Sequence, residues 1–252
     1  MKYLRIIKIS LFLLFIFQMN LGYSQTKNDS LLCNIQDKIY SEFTTSFRAN
    51  SILGLTTIDS LLKINKNDYF SLYWSSYCQY YQSLFFLKIG QRELSENKIN
   101  SAILTLDTLN NKDSEAYALL AFLQSFSLQF RNSGDINDWT KKINYNGQKS
   151  IAINSKNLRG WFVLGNNDLH LPASFGGGTK CEKYLLNAIS LNERTQENCS
   201  FPSWGKNESY YALISYYIGI EKYKKAKKTL KKALEKYPDD YMINKLKEKL
   251  KD

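Results

Sequence analysis

The sequence predicts an all-α protein built from consecutive helical hairpins. Apolar residues recur at spacings of three and four along most of the chain, whereas alternation at period two is scarce. The 252 residues include only 12 Gly and 3 Pro, which disfavours an all-β fold with many turns. An apolar content of 44% and an aromatic content of 14% supply a buried core and exclude a disordered chain.

The periodicity and its interruptions predict eleven helices. Segments rich in Asn, Gly or Pro break the apolar pattern, for example around Pro172, Pro202 and Pro238. The order of these breaks gives five helical pairs and a terminal helix. The predicted helices span residues 30–48, 51–64, 68–88, 93–109, 113–131, 136–154, 158–169, 179–192, 207–219, 222–236 and 239–250.

The first 24 residues have the pattern of a secretory signal. Three basic residues precede a nine-residue apolar run, Ile9 to Phe17, which is too short to span a bilayer comfortably. Gly22 and Ser24 then place small residues at −3 and −1 of a cleavage before Gln25. The alternative is an uncleaved membrane anchor. No cysteine follows the run in the context of a lipid anchor, so we expect a periplasmic or secreted protein with one helical domain, residues 25–252.

The basic excess of the chain is concentrated at its C-terminal end. The formal charge of the whole sequence is +11, and removal of the signal, with three basic residues and no acidic one, leaves +8. Residues 221–252 alone hold twelve Lys and six acidic residues. This pattern is typical of a lysine-solvated helix surface. It also fits weak contact with anionic lipid head groups or an acidic partner, whereas an exported protein rarely meets nucleic acid.

Four cysteines and one histidine limit the chemistry. In an oxidising compartment Cys78 and Cys181 are expected as buried free thiols, because a free cysteine behaves as a small apolar residue. If one disulfide forms, Cys181–Cys199 is the nearest pair in sequence, although other pairings stay open. A single His nearly excludes multi-His metal sites, so neither a metal nor a cofactor is expected.

The clearest internal repeat is a 34-residue unit, residues 207–240. Its first helix carries large residues at its contact positions, and its second alternates small and large residues, so the two helices can approach closely. These spacings resemble a tetratricopeptide repeat (TPR) at seven of eight consensus positions, and Ile214 departs. The matching residues are Tyr210, Leu213, Tyr217, Ala226, Leu230, Ala233 and Pro238.

The preceding unit, residues 158–193, resembles the same repeat with an insert of four residues. Trp161, Leu164 and Gly165 match its W-x-x-L-G start, whereas Asp168 departs from the usual aromatic residue. Glu193 likewise stands where the repeat usually has proline. Cys181, Leu185 and Ala188 match the small, large and small positions of its second helix.

Two further motifs narrow the resemblance. A P-x-x-F-G-G-G turn, Pro172 to Gly178, and the S-W-G-K sequence, Ser203 to Lys206, resemble those of exported bacterial TPR proteins. The resemblance implies a right-handed α-solenoid of about five hairpins with a C-terminal capping helix. It implies a non-catalytic adaptor that binds a protein or peptide in a concave groove, and it implies no reaction.

TPR geometry implies which side chains face that groove: the second, fifth, ninth and twelfth positions of each first helix. An Arg with Asn and Tyr neighbours suits a peptide backbone or carboxylate. The runner-up function is a small-ligand-binding or transporter accessory module, for which His170 and Phe175 would line a pocket near Phe162. Trp74 fits the first helix of a further unit and sets the positions of three of the candidates, Ser75, Gln79 and Gln82. The other groove candidates are Arg159, Phe162, Asn166, Leu169, Glu208, Tyr211, Ser215 and Ile218.

No candidate motif has both the residues and the spacing that a catalytic site requires. His170 lies near Asp168 in sequence, as a general base and its orienting carboxylate would, but no motif places a serine or cysteine to complete the site. The glycine-rich segment 176–180 lacks the G-x-x-x-x-G-K-[ST] spacing of a phosphate-binding loop. No catalytic residue is predicted.

Overall fold

The fold is all-helical, as the sequence predicts. A computed structural model describes residues 31–65, 68–193 and 199–250, which form eleven α-helices and no strand. The expected signal, residues 1–24, lies outside the described residues. Within those residues, no helix combines the length and hydropathy that a membrane crossing requires. The helices are α1 (Ile35–Ala49), α2 (Leu53–Leu62), α3 (Tyr69–Lys88), α4 (Arg92–Asp107), α5 (Ser114–Ser127), α6 (Ile136–Ile153), α7 (Leu158–His170), α8 (Cys181–Ser190), α9 (Lys206–Gly219), α10 (Tyr223–Lys236) and α11 (Tyr241–Glu248).

Short side chains with an oxygen acceptor set several helix starts. The Asp68 carboxylate accepts a hydrogen bond from the backbone N–H of Ser71 at 2.7 Å and so caps α3. Asp113 caps α5, Asn157 caps α7 and Asp240 caps α11 in the same way. These caps satisfy backbone donors that the first turn of a helix leaves unpaired, which explains why the helices begin there.

The helices pack as consecutive hairpins. Each odd-numbered helix from α1 to α9 contacts the helix that follows it, and it also contacts the next odd-numbered helix. We call α1, α3, α5, α7, α9 and α11 the cleft row. Small residues permit close approach: a Cβ on Gly165 would lie 2.7 Å from the Leu185 side chain, and Ala226 and Ala233 of α10 are fully buried.

The disulfide joins Cys33 to Cys199, with Cα atoms 4.7 Å apart. The suggested Cys181–Cys199 pair is therefore wrong. Sequence distance is a poor guide here, because Cys199 lies beside the start of α1, where the Asn34 N–H donates to its carbonyl at 2.9 Å. The prediction for the other two cysteines is confirmed, since Cys78 and Cys181 are buried free thiols.

Candidate ligand-binding cleft

A loop between α8 and α9 lies across the cleft row. We call residues 199–205 the crossing loop. Its backbone is held mainly by side chains of α1 and α3. These two helices therefore already bind a peptide segment of their own chain. The bonds are Asn34 N to Cys199 O at 2.9 Å, Trp74 Nε1 to Ser200 O at 2.8 Å, and Ser203 N and Trp204 N to Gln36 Oε1 at 2.9 and 3.1 Å.

Trp204 is the central anchor of the crossing loop. Its side chain is buried, and its indole Nε1 donates a hydrogen bond to the Tyr73 hydroxyl at 2.9 Å. The indole packs among three other rings, which lie on α3, α5 and α7. Burial of this large ring provides much of the free energy that holds the loop against these helices. The ring centroids lie 6.1 Å away for Tyr77, 5.3 Å for Phe122 and 6.2 Å for Phe162.

A buried ion pair lies beside Trp204. Arg159 of α7 contacts Glu115 of α5 in a bidentate geometry, with Nε–Oε2 at 2.5 Å and Nη2–Oε1 at 2.6 Å. Arg159 Nη1 also donates to the Trp204 carbonyl at 3.2 Å. Burial lowers the pKa of Arg159, but the charge and hydrogen bonds of Glu115 raise it above its usual value. Arg159 therefore holds a peptide carbonyl of its own chain, and only 3% of its surface is exposed.

The S-W-G-K sequence links this loop to two helices. Gly205 adopts a φ of 106°, which favours glycine, and its N–H donates to Glu208 Oε2 at 2.7 Å at the start of α9. The buried Lys206 ammonium donates to the Ile189 carbonyl at 2.6 Å and so neutralises the C-terminal end of α8. The motif therefore has a structural role.

Beside the crossing loop, two adjoining cavities form one cleft. They share Tyr80, Phe122, Phe162, Glu208 and Tyr211. The first, which we call the apolar lobe, has a volume of about 720 Å³. A volume of this size falls within the range that is typical of ligand pockets. The apolar lobe is lined by the shared residues and by Ser125, Phe126, Leu128, Gln129, Ile136, Asn166, Asn167, His170, Leu171, Pro172 and Phe175.

The second cavity, which we call the acidic lobe, has a volume of about 730 Å³. Its wall combines tyrosines with carboxylates, and among the described residues no Lys or Arg lines either lobe. The lobe is lined by the shared residues and by Gln36, Asp37, Tyr40, Phe43, Tyr77, Tyr81, Leu84, Ser203, Trp204, Asn207, Asp239, Asp240, Tyr241 and Met242.

The four carboxylates of the acidic lobe have different environments. Burial raises the pKa of Glu208, whose carboxylate caps α9. Asp240 accepts from Ile243 N at 2.9 Å and from Asn207 Nδ2 at 2.8 Å. Asp37, in the first turn of α1, and Asp239, before α11, are exposed. No ion pair involves any of the four within the described ranges.

The structure brings several predicted residues together. Phe162, Asn166, Glu208 and Tyr211 line the cleft, and the suggested pocket residues line the same apolar lobe, on the side of the P-x-x-F-G-G-G turn. Three other candidates are half-buried and line neither lobe. These are Leu169, Ser215 and Ile218.

The assignment of Ser75, Gln79 and Gln82 to the groove is wrong, because these side chains are buried against α2. Ser75 Oγ donates to Asp59 Oδ1 at 2.6 Å, and Gln82 Nε2 donates to the Leu55 carbonyl at 3.2 Å. These three positions depend on Trp74 as the repeat marker, but its indole contacts the crossing loop. The face of α3 that lines the cleft is instead formed by Tyr77, Tyr80, Tyr81 and Leu84.

The residues around His170 do not form an acid–base pair. Asp168 Oδ2 accepts backbone hydrogen bonds from Lys180 at 2.8 Å and Cys181 at 2.7 Å and thereby caps α8. Desolvation lowers the pKa of His170, and burial raises the pKa of the Cys181 thiol to about 12, which leaves the thiol unreactive. Groups of three metal-ligating side chains are absent from the described part of the chain.

The P-x-x-F-G-G-G turn shapes the edge of the apolar lobe. Gly176 and Gly178 adopt φ values of 81° and 78°, and a Cβ on Gly177 would collide with the Leu171 carbonyl. The Gly178 N–H donates to the Asp168 carbonyl at 2.8 Å. Glycine is therefore required for this compact return, which places Phe175 against the lobe.

The lysines of α10 lie at the surface. Lys224, Lys228 and Lys232 are exposed, and Lys225 pairs with Glu182 at 2.5 Å. Contact of this helix with an anionic surface stays a prediction.

Comparison of the chain with protein-family models, with curated proteins and with solved structures yields no match.

Proposed function

We propose that the chain is an exported, TPR-like, non-catalytic scaffold or adaptor that holds an extended peptide segment of a partner protein in its cleft. The observation that carries this proposal is the pair of adjoining, aromatic-lined cavities along the cleft row. Aromatic side chains provide large contact areas for recognition at little cost in conformational entropy.

The packing order of the helices supports the TPR-like part of the proposal. Contacts between each helix and the next, and between successive members of the cleft row, are those expected when helical hairpins stack. Stacking of this kind creates an extended concave surface from several repeats, which suits an elongated ligand.

The crossing loop supports a peptide as the ligand. Gln36, Trp74 and Arg159 bind its backbone N–H and C=O groups, and the Trp204 side chain fills an aromatic pocket. Backbone bonds with one deep aromatic anchor are a general way to bind an extended segment. The cleft continues from this loop, since Ser203 and Trp204 line the acidic lobe.

The alternative is a periplasmic module for a small ligand, alone or as a transporter accessory. One observation favours it: the apolar lobe brings Phe162, His170 and Phe175 around one cavity of about 720 Å³. A cavity of this size buries a small molecule well.

An occlusion variant separates the two functions. In Asn166→Trp the indole would occupy part of the apolar lobe and narrow it, whereas Gln148→Trp adds the same ring at an exposed site on α6 that lines neither lobe. Crosslinking in intact cells and affinity capture should recover one recurrent protein with the wild type and Gln148→Trp, and at least tenfold less with Asn166→Trp.

A small ligand would give another result. No protein would depend on Asn166, and native mass spectrometry would show a bound mass of a few hundred daltons in the wild type that Asn166→Trp loses. Equal recovery of the same protein with Asn166→Trp would contradict binding in the cleft.

A further inference from the structure

We propose that the acidic lobe selects a peptide segment that carries a Lys or Arg side chain beside a large apolar one. The inference rests on the proposed function and names the chemistry of the segment bound at that site. It follows from the charge of the lobe, the availability of its carboxylates, its aromatic wall and its continuity with the apolar lobe.

The charge of the lobe is opposite to that of the chain. The sequence holds 34 basic and 23 acidic residues, yet the described charged side chains that line the acidic lobe are all carboxylates. They come from α1, α9 and the start of α11, which are remote in sequence. A concave surface of one sign focuses its field and attracts a ligand of the opposite sign.

Two of these carboxylates are available to a ligand. Asp37 and Asp239 are exposed, and neither has an ion-pair or hydrogen-bond partner for its side chain among the described residues. Glu208 and Asp240 already cap helices and add negative charge behind them. A bound guanidinium or ammonium would pair with either of these two exposed carboxylates and be attracted by the others.

The wall of the lobe suits a cation as well. Tyr40, Tyr81, Tyr211 and Tyr241 present rings whose faces attract positive charge. One such contact already exists: Lys245 Nζ lies 4.8 Å from the centroid of the Tyr241 ring, and Lys245 itself lines neither lobe.

The apolar lobe explains why the bound segment should also carry a large apolar side chain. Tyr80, Phe122 and Phe162 belong to both cavities, so a segment with its basic side chain in the acidic lobe continues directly into the apolar one. Burial of an aliphatic or aromatic side chain there supplies affinity, whereas the charge supplies selectivity and a fast association rate.

The test is a selection of phage-displayed random octapeptides on the full chain, purified under oxidising conditions and immobilised. The enriched peptides are synthesised, and their affinities are measured by calorimetry for the wild type, for Asp37→Asn/Asp239→Asn, and for a control. The control, Glu93→Gln/Glu235→Gln, removes two exposed carboxylates outside the cleft. Circular dichroism verifies that all three proteins fold alike.

We expect enriched peptides with Lys or Arg near an aromatic or aliphatic residue. Their Kd should rise at least tenfold in the cleft variant and less than twofold in the control, and it should rise with salt concentration. One result would overturn the inference and leave the proposed function standing. In that result, enriched peptides lack basic residues, bind the cleft variant as well as the control, and lose binding in Asn166→Trp. A selection that enriches no peptide would overturn the proposed function and the inference with it. Binding of free arginine or a polyamine as tightly as any peptide would overturn the peptide as occupant.

Discussion

Removal of the Cys33–Cys199 disulfide should destabilise the protein strongly. The bond joins residues 166 positions apart, so it closes most of the described chain into one loop. For a loop of that length, the loss of unfolded-state entropy corresponds to about 5 kcal/mol at 25 °C. Domains unfold at a cost of roughly 5–15 kcal/mol in total, so this bond would supply a third or more of the stability.

The assay is equilibrium unfolding in urea, followed by circular dichroism and by tryptophan fluorescence. The variant Cys33→Ser/Cys199→Ser should lose about 3–5 kcal/mol, and a reductant should lower the unfolding free energy of the wild type by a similar amount. The same reductant should leave the variant unchanged, because Cys78 and Cys181 are free thiols. A loss below about 0.5 kcal/mol, or a peptide map under non-reducing conditions that joins Cys199 to Cys181, would refute the reasoning.

Three further predictions follow from the buried groups. Trp204→Ala should lower the free energy of unfolding by about 3–5 kcal/mol in urea titrations, because it removes a buried ring and its hydrogen bond; a loss below about 1 kcal/mol would contradict the anchoring of the crossing loop. Arg159→Met should cost about 3–5 kcal/mol by leaving Glu115 buried and unpaired, whereas the double variant with Glu115→Met should cost less; additive losses would count against coupling of the pair. Burial raises the pKa of Tyr73 and Tyr77 above the usual 10, so the stability that these phenols contribute is complete below about pH 10 and is lost as the pH rises further. An absorbance titration of the folded protein in which every tyrosine ionises at its usual pKa would contradict this.

The helices could be predicted from the sequence because their signals are local. Apolar periodicity and breakers within a few residues identify all eleven helices, with ends that differ from the structure by a few positions. At α1, which is predicted from residue 30, the helix of the structure begins at Ile35, after Asn34 adopts a left-handed conformation with φ of 54°.

The cleft could be predicted only in part, because its geometry depends on contacts between distant segments. The predicted repeat register places Phe162, Asn166, Glu208 and Tyr211 on the cleft, but the other four candidates from the same two units line neither lobe. Nothing local indicates that Trp74 contacts a loop more than 120 residues later, and reading that residue as a repeat marker shifted the register of α3.

Residues that depart from the repeat consensus proved informative. Asp168 and Glu193 replace an aromatic residue and a proline, and both make specific bonds: Asp168 caps α8, and Glu193 pairs with Lys236 at 2.7 Å. Their side chains bond to positions 12 or more residues away, which a single sequence does not reveal.

Site-specific photo-crosslinking tests the central claim most directly. A photoreactive phenylalanine analogue replaces Tyr211, which lines both lobes, or Tyr145, an exposed residue of α6 that lines neither. After irradiation of cells that produce the protein, the account predicts that position 211 joins one recurrent partner through a single short peptide segment and that position 145 does not. Equal crosslinking from both positions, or none from position 211, would contradict binding of a partner segment in the cleft.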